Sequence, residues 1–215
     1  GISAYRLLKG DTKQTPKVTL KTALIVAAVL APVQAIVGDY HGLNTLEYQP
    51  QKIAAMEGVW ETQKGAPLLL FALPNQQTRT NDFAVGIPKL ASLILTHNKE
   101  GEIKGLNDFI GEHPPVFAVF WSFRVMVGMG VLMLLAAWLC TALIIKNKQL
   151  PKPLLKLLVA MSFSGWIATL AGWFVTEIGR QPYLVNGILK TADAVTTQPP
   201  SNVGISLSIY LSLYT

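Results

Sequence analysis

Three predominantly apolar runs, each long enough to cross a bilayer, constrain this chain more than any other feature. They cover residues 18–38, 116–145 and 154–179. A spanning helix needs about 20 predominantly apolar residues at a rise of ~1.5 Å each, whereas a soluble helix carries a polar face. Composition agrees: 51% of residues are hydrophobic and 14% charged, against roughly a quarter charged in soluble domains. Mean hydropathy is +0.39. The expected fold class is all-α, an integral membrane multi-helix bundle with a long extracytoplasmic loop.

Lysines orient the runs. Lys9, Lys13 and Lys17 precede the first, and Lys146, Lys148, Lys152 and Lys156 fill the turn between the second and third. Short basic loops of this kind belong on the cytoplasmic side. Residues 1–17 are therefore read as the end of a preceding helix and a cytoplasmic loop. Residues 18–38 are a transmembrane helix begun after Pro16 and ended at Gly38-Asp39. Residues 39–115 form a net acidic outer loop, 116–145 a second span, 146–153 a cytoplasmic turn, 154–179 a third span, 180–202 an outer loop and 203–215 the start of a further transmembrane helix. With no initiating methionine, no signal-peptide pattern and a final run too short to cross, the chain reads as a fragment of a longer polypeptide. Within the long loop, residues 51–61 (QKIAAMEGVWE) have Ile53, Met56 and Trp60 at helical spacing. Residues 83–96 are expected to hold a second helix, begun after Pro74-Asn75 and interrupted at Pro88. A loop of this length with its own apolar periodicity is expected to be functional.

Several classes of chemistry are set aside. The net charge is +6, but the basic residues sit at helix ends rather than in a patch with interleaved aromatics, so no nucleic acid is expected. Cys140 lies alone in an apolar helix and reads as a small buried hydrophobe. His41, His97 and His113 fall outside the spans without metal-site spacing. No Gly-rich phosphate loop, paired catalytic carboxylates or nucleophile elbow is present.

What remains lies at the outer rim. The segment AGWFVTEIGRQPY, residues 171–183, places Glu177 and Arg180 at the end of an apolar run. A carboxylate at membrane depth costs roughly 2.5–3.5 kcal/mol and needs a partner, a proton path or a cofactor. Counting from Lys156, Glu177 lies about 32 Å along the helix, and counting from Lys146, Met126 lies about 30 Å along its own. The two are expected to share a level near the outer face. Trp173 shares the face of Glu177 at i, i+4, and Gly165, Gly172 and Gly179 recur every seven residues, a small-residue stripe open to another helix or a flat macrocycle. Glu177 has two readings, a simple i, i+3 pair with Arg180 or an iron ligand. Met126 likewise is filler or a ligand. Its setting FRVMVGMG puts Arg124 half a turn outward, able to meet haem propionates, and a thioether suits a low-spin electron-transfer haem. Locally, Lys52 and Glu57 read as solvated helix charges.

Three motifs in this order, GD followed by QKIAAMEGVWET, then FRVMVG, then GWFVTEIGRQP, resemble subunit I of the cytochrome bd quinol oxidases. The resemblance spans nearly the whole chain and is to the C-terminal part of that subunit, with the loop similar to the shorter version of the cyanide-insensitive type. It implies a terminal oxidase subunit of the bacterial cytoplasmic (inner) membrane, multi-pass, that oxidises quinol at the outer face and passes electrons to a high-spin haem site reducing dioxygen to water. Lys52 and Glu57 would belong to the quinol-oxidising loop. Met126 would be an axial ligand of low-spin haem b, with Arg124 near its propionates. Glu177 would ligate high-spin haem b, with Trp173 and Arg180 beside the haems. The second high-spin site would hold haem d or another b haem. Implied partners are a second oxidase subunit, small single-helix subunits and the N-terminal half of the same subunit, which carries the family's histidine ligands. Tyr183 departs from the usual tryptophan after Pro182. The residues alone leave two other classes open: a transporter or channel with Glu177 and Arg180 lining an ion path, and a haem electron carrier without oxygen chemistry.

Overall fold

The computed structural model describes residues 1–194 and 198–214, so residues 195–197 of the expected outer loop and Thr215 of the expected last helix lie outside the described residues. Two units are present, residues Gly1–Gln181 and Pro182–Thr215. In the first, a short helix α1 (Ile2–Leu8) precedes the long α2 (Gln14–Tyr48), and α3 (Pro50–Glu57) follows at once. The loop then carries β1 (Gln63–Lys64), β2 (Leu68–Asn75), β3 (Thr80–Ile87), α4 (Leu90–Thr96) and β4 (Glu102–Ile103). Helix α5 (Val116–Ile145) turns through a short link into α6 (Lys152–Ala160), which continues through a single 3-10 turn into α7 (Ser164–Ile178). Among the described residues, three stretches, Gln14–Tyr48, Val116–Ile145 and Lys152–Ile178, are long and apolar enough to cross a membrane. The all-α membrane fold class holds, with three two-stranded antiparallel ribbons added in the connections among the described residues.

Two expectations fail for physical reasons. Gly38-Asp39 does not end the first long helix; α2 runs on to Tyr48. Glycine and aspartate weaken a helix without breaking it, and Asp39 has a partner, lying 3.6 Å from His97 at the end of α4. Nor is there one helix over residues 83–96. Its first part is β3, paired with β2 in a hairpin, and α4 starts only after Lys89 takes a left-handed conformation (φ 62°). Pro74-Asn75 ends β2 and leads into the turn of that hairpin, residues 76–79: the Asn75 side chain accepts from the backbone N–H of Gln77 (3.0 Å) and Thr78 (3.3 Å), the local bond that lets asparagine start a turn.

Two of the buried clusters in the first unit hold the long helices together, an inner and an outer core. The inner one joins α1, α2, α5 and α6 through Ala4, Leu20, Leu24, Cys140, Leu154 and Leu155. The outer one packs α3 (Ile53, Ala54, Ala55, Met56) with Trp60 and Leu106 against the start of α5 (Val116, Val119) and the end of α7 (Val175). Gly58 permits this approach. It closes α3 in the left-handed region (φ 67°), and a Cβ there would meet the Phe120 ring at 3.1 Å. The second unit has a ribbon of β5 (Tyr183–Val185) and β6 (Leu189–Lys190), then helix α8 (Pro200–Tyr214) with Pro200 at its first position, where a missing N–H costs nothing.

Candidate functional site

Helix α3 is the centre of the arrangement. Every residue from Gln51 to Glu57 is buried, which overturns the reading of Lys52 and Glu57 as solvated charges. The loop folds α3 under itself, against the outer ends of α5 and α7, so the helix has no solvated face. Five positions apart, the two charges leave α3 in different directions. Lys52, 9% exposed, lays its stem on Gly179: a Cβ at that glycine would sit 2.9 Å from Cε. Burial and the neighbouring Arg180 hold its pKa below the ordinary lysine value, opposed by Glu177. Glu57, 4% exposed, faces Arg124 of α5, with Oε2 3.5 Å from Nη2. Burial pushes its pKa up to about 7, against the downward pull of Arg124. A carboxyl half ionised near neutrality is suited to accepting a proton and releasing it again.

Glu57 also lines a cleft of about 420 Å³ between the end of α3 and the β2–β3 hairpin. Its wall includes Trp60, Glu61, Arg79 and Asn81. Asn81 ties the cleft together, donating through Nδ2 to the Gly58 carbonyl (2.8 Å) and accepting from Trp60 Nε1 (2.9 Å). Sequence reasoning missed Asn81, whose role depends on the unforeseen hairpin. A larger concavity, about 580 Å³, is only the groove beside the serines and Gly204 of α8 and contains no ionisable group.

Met126 and Glu177 are not level. The Met126 sulfur lies 2.9 Å from where a Gly172 Cβ would be, so it meets α7 five residues before Glu177, about 7.5 Å lower. The depth count assumed that Lys146 and Lys156 anchor at one height. Pairing Met126 with Gly172 across antiparallel helices sets Lys146 opposite residue 152 instead, about one turn from Lys156. The glycine spacing is nonetheless informative: Gly172 receives Met126 and Gly179 receives Lys52, while Gly165 faces open space.

Glu177 pairs with Arg180, Nη2 to Oε1 at 3.3 Å, and both remain partly exposed, at 45% and 39%. The carboxylate ends a face of α7 on which Trp166, Leu170 and Trp173 are all exposed. A flat apolar surface leading to an incompletely satisfied carboxylate fits the edge and iron of a haem, and thioether and carboxylate are both groups that iron accepts. Met126 and Glu177 are two residues that could hold such a group.

Comparisons with known proteins show the family. The sequence model of the family cytochrome bd terminal oxidase subunit I matches residues 1–215. The chain is 34% identical over 212 residues, 91% of its length and 44% of the relative's, to cytochrome bd ubiquinol oxidase subunit 1 of Bacillus subtilis (strain 168). It is 28% identical to cytochrome bd-II ubiquinol oxidase subunit 1 of Escherichia coli (strain K12), covering 100% of this chain and 55% of that protein. That alignment runs over 285 positions, so the relative carries segments without counterpart in these 215 residues. Among solved structures, bd oxidase from Geobacillus thermodenitrificans matches with a TM-score of 0.86 and 32% identity, over 99% of this chain and 49% of that one. The chain spans about half the length of the relatives it matches.

Proposed function

The chain belongs to the cytochrome bd terminal oxidase subunit I family, and from that premise we propose that it forms the part of such a subunit where quinol is oxidised at the outer membrane face and its electrons enter the haems. The observation that carries the reading is the buried α3, which sets Glu57 in a cleft wall 3.5 Å from an arginine two residues before Met126. Nothing in this arrangement favours an ion path.

Oxidation of a quinol releases two protons and two electrons. Glu57 takes one proton from a quinol hydroxyl, its near-neutral pKa matched to the task and Arg124 steadying the carboxylate, and the second proton passes to water at the outer face. Trp60 and Asn81 shape the cleft that receives the head group. Lys52 contributes positive charge on the α7 side of α3, between the quinol region and the Glu177–Arg180 pair. Met126 would hold the low-spin haem b, and Glu177 the high-spin haem b, with Trp173 and Arg180 beside it. Electron acceptance and reduction of dioxygen to water are the iron's chemistry, at a site completed by haem d or a second b haem. The remaining ligands belong to the rest of the subunit, and the second oxidase subunit and small single-helix subunits complete the complex in the bacterial inner membrane.

Met126→Leu in the full-length subunit tests this directly. The exchange conserves volume and deletes the thioether. The low-spin haem signal should disappear or shift in potential while the complex still assembles; an unchanged spectrum and midpoint potential would remove Met126 from the ligand set.

A further inference from the structure

Arg124 is the most heavily used side chain of the outer core, and its uses are not those of a simple counter-charge. Nε donates to the Leu69 carbonyl at 2.8 Å. Nη1 donates to the carbonyls of Met56 and, at 3.2 Å, Phe120. The guanidinium carbon lies over the Phe120 ring, 3.3 Å from its centroid. Only Nη2 remains, facing Glu57 Oε2 at 3.5 Å, and both atoms are buried without a hydrogen bond among the described residues. A guanidinium has five N–H donors in one plane and no acceptor. Three of them are committed to backbone carbonyls on three different elements, α3, β2 and α5.

Two of the three acceptors have a reason to be free. Met56 lies in the last turn of α3, whose carbonyls have no helical partner and whose dipole end attracts a cation. Leu69 adjoins a register irregularity in the β2–β3 ladder, where a strand bends and redirects its backbone groups. Phe120 lies one turn before Arg124 in α5. A planar fork can satisfy three carbonyls at once, which a point-charge ammonium on a flexible stem cannot.

We propose that Arg124 is a positioning residue that clamps α3 and β2 onto α5, fixing Glu57 in the cleft wall and tying the quinol loop to the helix of Met126. The proposal rests on the reading of Glu57 as the proton acceptor for quinol. It gives Arg124 a task separate from any contact with haem carboxylates, for which only Nη2 is left.

The test compares Arg124→Lys and Arg124→Met with wild type in the intact purified oxidase complex, by backbone hydrogen exchange, haem spectrum and steady-state quinol kinetics. Loss of a hydrogen bond from a charged donor corresponds to roughly ten- to hundredfold in a local opening equilibrium. Amides of α3 and β2 should therefore exchange at least about tenfold faster in both variants, with α6 unchanged as the internal control. KM for quinol should rise several-fold and kcat should fall with the misplaced base, while the low-spin haem is retained. Should the methionine variant fail to assemble, the lysine variant carries the test. Wild-type exchange in α3 and β2 overturns the clamp, even if the haem potential moves; that outcome leaves the proposed function standing with Arg124 serving the haem alone. Restoration of wild-type exchange and KM by lysine also overturns it, because charge without the fork would then suffice. The role of Glu57 is tested separately by its own substitution.

Discussion

Glu57→Gln removes a titrating proton while keeping the shape of the side chain. Glu57 is 4% exposed, and burial, opposed by Arg124, lifts its pKa from 4.5 to about 7. In the folded chain the carboxyl therefore holds a proton across a window in which the unfolded chain has already lost it. The associated stability is fully present below about pH 4.5 and is lost as pH rises through about 7, and at ~1.4 kcal/mol per pKa unit it amounts to roughly 3 kcal/mol. Catalysis runs in the opposite direction. A base must be ionised to act, so wild-type kcat/KM for quinol should climb with pH and level off above about 7. Glu57→Gln should lose that acid limb together with about 10²–10⁴-fold in rate, the usual worth of a positioned base. Its thermal stability should also lose the decline between about pH 5 and 8. The assay is quinol oxidation by the intact complex across that range, with unfolding followed in the same buffers. A variant that keeps the wild-type acid limb and rate would refute the assignment.

Two further substitutions read other parts of the arrangement. Gly172→Ala places a Cβ 2.9 Å from the Met126 sulfur; the flexible thioether yields at less than about 1 kcal/mol, so the unfolding temperature should hold while the low-spin haem potential shifts, and an unmoved potential separates Met126 from the iron. Lys52→Met removes an ammonium that has no ion-pair partner among the described residues and whose pKa is lowered by burial and Arg180 against Glu177. Stability should rise by about 1 kcal/mol or stay level while quinol oxidation slows, and a loss of stability as large as a core deletion would contradict the packing described.

Sequence alone reveals much of the frame because long apolar runs have few alternatives. The span Val116–Ile145 is legible from length and hydropathy. The end of α2 is not, because a glycine and an aspartate stop a helix only when nothing beyond them favours continuing, and α2 continues into contacts with the folded loop. The hairpin is hidden because LLLFALPN reads as an apolar run without alternation; β2 is partly covered on one side by α5 and partly left open on the other. Its turn signal, Pro74-Asn75, is present but equally suggests a helix start. The site is legible in its parts, since glycine spacing and intramembrane ionisable groups single out Gly172, Gly179, Glu177 and Arg180. Their assembly is not, because the burial of Lys52 and Glu57 follows from the loop folding over α3, and the Glu57–Arg124 pair from contacts that no local spacing encodes.

Glu177 is the residue on which the account turns, because its 3.3 Å pair with Arg180 gives it an ordinary structural occupation alongside the proposed one. If neutralising Arg180 were its whole role, Glu177→Gln would leave an arginine free to reach the interface, with little damage. The measurement is haem stoichiometry together with quinol-driven oxygen uptake of the purified Glu177→Gln complex. The account predicts an altered or missing high-spin b haem and loss of most oxygen uptake, with the Met126 haem still reducible by quinol. Wild-type haem content and oxygen uptake would contradict it.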